Sequence, residues 1–388
     1  MSGALKRDEW KTVRLGDVCD VNMGQSPDSK TYNSSGVGLP FYQGNADFGL
    51  ISPSATSWCS EPKKTAHKDD ILISVRAPIG ALNIADETCC IGRGLAALTV
   101  NPELCFQKYI WHCLISKVPE FNRKGTGSTF KAINKTGLTD TKIPLPPLDV
   151  QRRIAETLDK VTELITLRKT QLKKLDELVK ARFVEMFGDP LNDTAKYPLH
   201  QVGEVAEAID PQPSHRTPPI EEGGIPYVSI KDCDYKTGII DFDGARKVSR
   251  TVLEEHLNRY ILQDGDFIIG KIGTIGKPVF VPARNDYTLS ANIVLVQPNS
   301  KLVSPCFLKY SFESDFVERQ FTEAKNSTSQ AAFGIQKVRA VEVMNPELDV
   351  QRDFERFVEQ TDKSKVIIQQ SLDTLETLKK SLMQEYFG

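Results

Sequence analysis

The sequence lacks the marks of membrane insertion, secretion and metal binding. No run of about 18 consecutive apolar residues occurs, so no membrane-spanning helix is predicted. The opening MSGALKRDEW contains no apolar segment of the kind found in a secretory signal peptide. The eight cysteines form no C-x-x-C pair, and the five histidines form no ligand cluster. We therefore expect reduced, buried thiols in a cytoplasmic protein without a metal site.

The sequence also lacks the motifs of nucleotide-binding and hydrolytic enzymes. It contains no strand–GxGxxG–helix unit, no GxxxxGKS or GxxxxGKT loop and no G-x-S-x-G elbow. The segment GKIGTIG at 270–276 has glycines and a lysine, but its strand-like flanks favour a β-turn over a phosphate loop. Such a turn can still bring Arg76 and Lys271 near a polyanion. The sequence therefore predicts no catalytic constellation.

A long internal repeat is present. The pentapeptide LDVQR occurs at 148–152 and again at 348–352, and the match continues without a gap to the Phe-Gly pairs at 187–188 and 387–388. Upstream, DDILISVRAPIG at 69–80 resembles DGDFIIGKIGTIG at 264–276. We interpret the chain as a tandem duplication of a unit of about 195 residues, too long for a solenoid repeat. In each copy a globular part precedes one long helix.

The two helical segments carry apolar residues at the spacing of a coiled-coil seam. The run 149–187 contains no Gly or Pro, and prolines before it and Gly188 after it bound the helix. Each helix has one apolar stripe and needs a partner, so an antiparallel pairing of the two helices is predicted. The predicted seam residues are Ile154, Leu158, Val161, Ile165, Leu172, Leu175 and Val179 in the first helix, and Phe354, Val358, Ile368, Leu372, Leu375 and Leu382 in the second.

The globular parts have a different pattern. Short β-branched runs at 71–75, 267–272 and 293–298 are separated by Gly and Pro turns, and helical patches occur at 103–121 and 305–321. This mixture predicts an α+β fold with an irregular sheet in each copy. The predicted organisation is a domain at 1–147, a helix at 148–190, a second domain at 191–347 and a second helix at 348–388.

The charge balance excludes DNA binding through a large overall positive charge. The chain has 49 Lys and Arg against 51 Asp and Glu, and the segment 1–147 carries +3 whereas 191–347 carries −4. Phosphate affinity must therefore be local or come from a partner. The basic, hydroxyl-rich loop at 122–137 and the polar loop at 325–337 are suited to such contacts. From composition alone, a solvated linker explains either loop equally well.

The segment IPLPPLDVQRRIAETLDKVTELITLRKTQLKKLDELVKARFVEMFGDP at 143–190 resembles the spacer of the DNA-specificity subunits of type I restriction-modification enzymes. The similarity lies in the Ile-Pro-Leu-Pro-Pro-Leu-x-x-Gln-Arg entry into the helix and the Phe-x-x-Met-Phe-Gly-Asp exit from it. GDVCDVNMG and DDILISVRAPIG resemble the opening of that family's target-recognition domains. The second spacer departs from the pattern, because MNPELDVQRDF lacks the Pro-Pro pair.

The resemblance implies a non-catalytic, sequence-specific DNA-binding subunit that acts in host defence and DNA methylation. Two pseudo-twofold-related target-recognition domains would each read half of a bipartite site in double-stranded DNA. The antiparallel coiled coil would fix the half-site separation and dock two methyltransferase subunits. S-adenosylmethionine would bind those partners, this chain would hold no cofactor, and restriction/translocase subunits would join through the complex. The repeated helices would then offer identical docking surfaces, and the diverged domains would read different half-sites.

Polar residues in matched loops of the two copies are the candidates for DNA contact. In the first copy they are Gln43, Asn45, Arg76, Lys124, Thr126, Ser128 and Lys131. In the second copy they are Ser229, Lys231, Lys271, Ser327, Thr328, Ser329 and Gln330.

Two other interpretations are compatible with the sequence. The chain could be a protein-only coiled-coil adaptor, which a DNA-binding assay in the presence of the methyltransferase would identify. It could also be a DNA-modifying enzyme with unrecognised motifs, which a methylation assay of the purified chain with S-adenosylmethionine would identify.

Overall fold

The chain forms two units, and each includes parts of both long helices. The computed structural model describes residues 10–126, 131–214, 216–235, 237–271, 275–326 and 334–388. Unit 1 contains Met1–Lys169 and Gln370–Gly388, and unit 2 contains Thr170–Gln369. Neither unit therefore coincides with one copy of the sequence repeat.

Unit 1 is built from short strands around a four-stranded sheet. The strands before the first helix are β1 (Lys11–Arg14), β2 (Cys19–Met23), β3 (Tyr32–Asn33), β4 (Leu39–Tyr42), β5 (Trp58–Cys59), β6 (Thr65–Ala66), β7 (Ile71–Ser74), β8 (Leu82–Ile84), β9 (Cys89–Ile91) and β10 (Leu95–Val100). Helices α1 (Gln107–Lys124) and α2 (Lys135–Thr139), strand β11 (Lys142–Leu145) and the long helix α3 (Leu148–Phe187) follow. The sheets have the orders β1-β11, β2-β10-β7-β8 and β3-β5-β4-β9-β6.

Unit 2 repeats much of this arrangement. Its elements after α3 are β12 (Leu199–Gln201), α4 (Val202–Val205), β13 (Ala206–Ile209), β14 (Ile225–Val228), β15 (Arg246–Val248), α5 (Arg250–Leu257), β16 (Phe267–Gly270), β17 (Val279–Phe280), β18 (Thr288–Leu289), β19 (Ile293–Pro298), α6 (Pro305–Phe312), α7 (Asp315–Asn326), α8 (Ile335–Arg339), β20 (Glu342–Met344) and the long helix α9 (Leu348–Phe387). The sheets have the orders β12-β20, β13-β19-β16-β17 and β15-β14-β18.

The sheet orders agree with a duplicated α+β fold. The order β2-β10-β7-β8 in unit 1 corresponds to β13-β19-β16-β17 in unit 2. In both units a parallel pair accompanies this sheet, β4 with β9 and β14 with β18. The β-branched runs noted in the sequence form β7, β16 and β19, and the first two are buried along their whole length, as expected for interior strands.

Gln151, from the repeated pentapeptide, fastens α3 to the domain that precedes it. The side chain is fully buried. Its Oε1 accepts the backbone N–H of Phe106 at 2.8 Å, and its Nε2 donates to the carbonyls of Leu104 at 3.1 Å and Pro146 at 2.8 Å. One amide thus satisfies three backbone groups that would otherwise lose hydrogen bonds on burial.

Gln351 does the same at the start of α9 in unit 2. It is also fully buried. Its Oε1 accepts the N–H of Ser304 at 2.7 Å, and its Nε2 donates to the carbonyls of Pro346 at 2.7 Å and Leu302 at 3.3 Å. The two copies therefore use the same residue for the same junction between domain and helix.

The two long helices pack together within each unit. In unit 1 the predicted seam residues Ile154, Leu158, Val161, Ile165 and Leu372 are buried. In unit 2 Val179, Phe354 and Val358 are buried. Half-buried seam residues are Leu172, Leu175, Ile368, Leu375 and Leu382.

Contacts in unit 2 show the direction of the pairing. Asp176 of α3 forms an ion pair with Lys365 of α9 at 2.8 Å. Further along α3, Phe183 contacts Phe354, which lies earlier in α9, in an edge-to-face arrangement. Residue numbers rise along one helix and fall along the other, so these segments are antiparallel. Burial alone would lower the pKa of Lys365, but its hydrogen bond and ion pair with Asp176 raise that pKa above its usual value. A lysine is therefore tolerated within the apolar stripe.

Candidate nucleic-acid interface

Gln43 and Asn45 lie where a parallel strand pair of unit 1 ends. Because β4 and β9 are parallel, their carboxyl ends meet at one sheet edge. Gln43 is exposed directly after β4, and Asn45 begins a single turn of 3-10 helix. The Asp47 carboxylate fixes this turn by accepting the N–H groups of Gln43 at 2.7 Å and Gly44 at 3.2 Å. The exposed amide of Gln43 is thus presented from a constrained backbone.

Ser229 and Lys231 occupy the corresponding strand end of unit 2. Ser229 directly follows β14, which runs parallel to β18. Lys231 is exposed in a 3-10 turn, and the Asp232 carboxylate accepts the Ser229 N–H at 2.8 Å. The two units therefore present different side chains from the same type of turn, which suits domains that read different bases.

A second group of candidates in unit 1 surrounds Ala132. Arg76 and Thr126 each form a β-bridge with Ala132, and Lys131 precedes it in the chain. All three candidate side chains are exposed. The structure thus brings together two cations and a hydroxyl, a combination able to contact phosphate.

Lys124 differs from these three because its ammonium has partners within unit 1. It is the last residue of α1, and its Nζ lies 2.6 Å from Glu120 Oε1 and 3.1 Å from Thr141 Oγ1. The candidates Ser128, Ser327, Thr328, Ser329 and Gln330 lie outside the described residues.

Lys271 belongs to a closed ring of hydrogen bonds in unit 2. Its Nζ lies 2.8 Å from Asp210 Oδ2 and donates to the Ala291 carbonyl at 3.0 Å. The Ala291 N–H donates to the Tyr227 hydroxyl at 3.1 Å, which donates to Gln212 Oε1 at 2.9 Å. The Gln212 N–H closes the ring on Asp210 Oδ1 at 3.1 Å. Burial raises the pKa of Tyr227, so its hydroxyl stays protonated and able to donate.

The burial of Lys271 corrects the sequence interpretation, which treats this lysine as an open loop residue. Only 5% of Lys271 is exposed, and Asp210 neutralises its charge. The Lys271 N–H donates to the Asn292 carbonyl just as that of Val75 donates to Gly94, both at 2.9 Å. Lys271 therefore corresponds to buried Val75 and not to exposed Arg76, and we leave it out of the proposed contacts.

Three apolar residues of unit 1 replace the polar ring. Val75 takes the place of Lys271. Phe41 takes the place of Tyr227, since each belongs to the first residue pair of its parallel strand pair. Met23 takes the place of Asp210, because Met23 pairs with the second residue of β10, and Asp210 directly follows Ile209, which pairs with the third residue of β19. No motif in the sequence marks this ring. The simultaneous change of all three residues between the copies is the signal that could have revealed it.

The long helices carry repeat-matched exposed residues. Within LDVQR the aspartate and the arginine are exposed in both copies, while the glutamine is buried. Leu178 and Leu378, which stand 200 residues apart, are 48% and 44% exposed. The adjacent lysines at 180 and 380 and the glutamates at 185 and 385 are exposed as well. Each helix thus shows the same apolar residue within the same charged surroundings.

In the part of the chain that the structure describes, no helix is long and apolar enough to cross a membrane. Within the same ranges, no three His, Cys, Asp or Glu side chains come together in a way that could hold a metal ion.

Comparison with known proteins gives consistent matches. The family model described as the type I restriction modification DNA specificity domain matches residues 7–177 and again 195–377. The chain is 41% identical over 175 residues to the MjaX specificity subunit of a type I restriction enzyme from Methanocaldococcus jannaschii, a match that covers 45% of this chain and 41% of that protein. It is 19% identical over 378 residues to the type I restriction enzyme EcoBI specificity subunit of Escherichia coli, covering 91% and 79% respectively.

A solved structure supports the fold over the whole chain. The S subunit of a type I restriction-modification system from M. genitalium aligns with a TM-score of 0.59 at 15% identity. The alignment covers 100% of this chain and 97% of that one. The predicted fold class, α+β with two domains and two long helices packed together, is thereby confirmed.

Proposed function

Because the chain belongs to the family of type I restriction-modification DNA specificity subunits, we propose that its two globular domains each read one half of a bipartite DNA site. Such a subunit is non-catalytic and provides DNA target recognition within a restriction-modification complex. The observation that carries the proposal is the contrast between domains and helices. The strand ends present different polar residues from equivalent turns, whereas the helices keep matched surfaces.

The domains at 1–147 and 191–347 are the proposed reading modules. Within them, we favour residues at the strand ends and around Ala132, all exposed except the half-buried Asn45 and Ser229: Gln43, Asn45, Arg76, Thr126, Lys131, Ser229 and Lys231. Ser128, Ser327, Thr328, Ser329 and Gln330 remain proposed contacts on the basis of the sequence. Differences between the two sets explain how one chain reads two unlike half-sites.

The partners are proposed from the family and the repeat. Two methyltransferase subunits, each carrying S-adenosylmethionine, would dock on the long helices at 148–190 and 348–388. Restriction/translocase subunits would join through the methyltransferases, and the complex would act in the cytoplasm. The two exposed leucines, one on each helix, support two equivalent docking sites.

Methylation of cellular DNA tests the reading function. We expect that a host expressing this chain with its methyltransferase gains modification at one motif made of two short blocks and a fixed unspecific gap. Modification-sensitive sequencing of the genome measures this. The purified chain alone should transfer no methyl group from S-adenosylmethionine. Methylation by the chain alone would identify an enzyme. If the methyltransferase methylated the same motif in cells that lack the chain, the chain would be an adaptor without a reading role.

Replacing the matched leucines tests the docking surfaces. Leu178→Asp should remove one methyltransferase from the complex, Leu378→Asp the other, and the double variant both, because a carboxylate opposes burial in an apolar contact. Native mass spectrometry of the assembled complex gives the stoichiometry. Leu164→Asp is the matched control: Leu164 is 43% exposed on α3, but serine stands at the matched position 364. Two bound partners in the double variant would exclude this surface.

A further inference from the structure

Each domain carries a segment with several exposed side chains, called its arm, that the sequence-based candidates do not include. In unit 1 the arm is QSPDSKT at 25–31, which follows β2 after one glycine. In unit 2 the arm is QPSHRT at 212–217, close after β13, and its residue 215 lies outside the described residues. Both arms begin with glutamine and end with a basic residue and threonine.

Equivalent backbone amides anchor the two arms. In unit 1 the N–H of Arg93, in the turn after β9, donates to Ser26 Oγ at 3.4 Å. In unit 2 the corresponding N–H, that of Ala291 after β18, donates at 3.1 Å to the Tyr227 hydroxyl, which holds Gln212. The two arms therefore begin at the same place in the fold, but different side chains accept the hydrogen bond from the equivalent backbone N–H.

Local hydrogen bonds hold the shape of each arm. In unit 1 the Asp28 side chain accepts the Lys30 N–H at 3.1 Å. In unit 2 the Gln212 Nε2 donates to Ser214 Oγ at 3.2 Å and to the Arg216 carbonyl at 2.9 Å. The basic residue thus sits on a constrained backbone in both arms, which reduces the entropy lost when it binds a ligand.

The two basic side chains are open to a ligand. Lys30 and Arg216 are exposed, and neither has an ion-pair partner among the described residues. Asp28, two residues before Lys30, accepts the Lys30 backbone N–H, and Asp210, which precedes the second arm, pairs with Lys271. A cation held on a constrained backbone without a carboxylate partner suits a polyanion.

The arms adjoin the residues proposed to read bases. The Gly94 N–H, next to Arg93, donates to the Gln43 carbonyl at 3.1 Å, and Arg93 is itself exposed. In unit 2 the ring that holds Gln212 includes Tyr227, two residues before Ser229. Each arm therefore borders the strand end from which the proposed base contacts project.

We infer that the two arms bind the phosphate backbone of the target DNA, with Lys30 and Arg216 as the cationic contacts. This inference rests on the proposed function and deepens it. Basic and hydroxyl side chains on a constrained loop position a protein on the duplex without reading sequence. The arms thus supply the local positive charge that the overall charge of −2 does not provide.

Salt dependence of DNA binding tests the arms. The full chain, assembled with its methyltransferase, is titrated with a random-sequence duplex between 50 and 200 mM salt. Lys30→Ala and Arg216→Ala should each lower the slope of log affinity against log salt by about 0.9, and the double variant by about 1.8. Raising the salt from 50 to 200 mM lowers the DNA affinity of every complex. The factor of this loss should be about three- to fourfold smaller for each single variant than for the unaltered complex. Arg216→Lys should restore the slope, because it keeps the charge.

The matched control is Arg250→Ala, at the exposed start of α5. Helix α5 follows β15, whose last residue, Val248, pairs with Ile225 at the end of β14 far from Ser229. It should leave the slope unchanged. An unaltered slope in both arm variants would overturn the inference about the arms. The proposed function would still stand if the parent complex bound DNA. Altered half-site preference without a change in slope would assign the arms to base reading and also overturn it. A parent complex that binds no duplex at any salt concentration would overturn both.

Discussion

Gln151→Met should destabilise unit 1 by about 3 kcal/mol or more. Methionine has nearly the same volume, so the change removes hydrogen bonds without opening a large cavity. The N–H of Phe106 and the carbonyls of Leu104 and Pro146 would then be buried without their partner. Each such group costs about 1–3 kcal/mol. The loss is a large fraction of the stability of a typical domain.

The tryptophans allow this loss to be assigned to one unit. All three, Trp10, Trp58 and Trp111, belong to unit 1. Tryptophan fluorescence during urea unfolding should therefore report the Gln151→Met change directly. Gln351→Met, the matched change in unit 2, should shift the circular dichroism transition and leave the fluorescence transition in place. A fluorescence midpoint that does not move in Gln151→Met would contradict the role of this residue.

Lys271→Met should cost unit 2 about 3–5 kcal/mol, because it leaves the mostly buried carboxylate of Asp210 without its counter-charge. The remaining members of the ring would also lose a donor, since Lys271 holds the Ala291 carbonyl. The circular dichroism midpoint in urea should fall. The fluorescence transition of unit 1 serves as the internal reference and should stay constant.

Asp210→Met combined with Lys271→Val should recover most of that loss. This pair places in unit 2 the residues that unit 1 already uses, Met23 and Val75, and replacing a buried ion pair by apolar residues is often neutral or stabilising. If the double variant were no more stable than Lys271→Met alone, the correspondence between the two sites would be wrong. The double variant should also loosen the arm at Gln212, because Asp210 no longer accepts its N–H.

The sequence was most informative about the long helices. The absence of Gly and Pro from 149–187 predicts a helix that the structure extends from Leu148 to Phe187. Continuous β-branched runs likewise predict the interior strands. The helical patch at 305–321 is less simple: it divides into α6 and α7, and the Ser314 hydroxyl accepts the Val317 N–H at the start of the second helix. A serine hydroxyl that caps a backbone N–H competes with an unbroken helix, and hydrophobic period alone does not reveal that competition.

The candidate interface was harder to predict because its key contacts are distant in the chain. Lys271 resembles an open loop cation in the sequence, and its partner Asp210 lies 61 residues earlier, brought near only by the order β13-β19-β16. The sequence shows that the glutamine of LDVQR is repeated, but not that its side chain joins the long helix to the preceding domain. Apart from the Asn345 side chain, its hydrogen-bond partners are backbone groups, which leave no mark in the amino-acid sequence.

The division of the helices between the units has a consequence for synthesis of the protein. The segment Gln370–Gly388 belongs to unit 1, where Phe387 is buried and packs against Tyr109, with tilted rings whose centroids are 5.3 Å apart. Unit 2 is one continuous stretch, Thr170–Gln369, and all of it leaves the ribosome before Phe387 does. Unit 1 is therefore completed only after the whole of unit 2 has been translated.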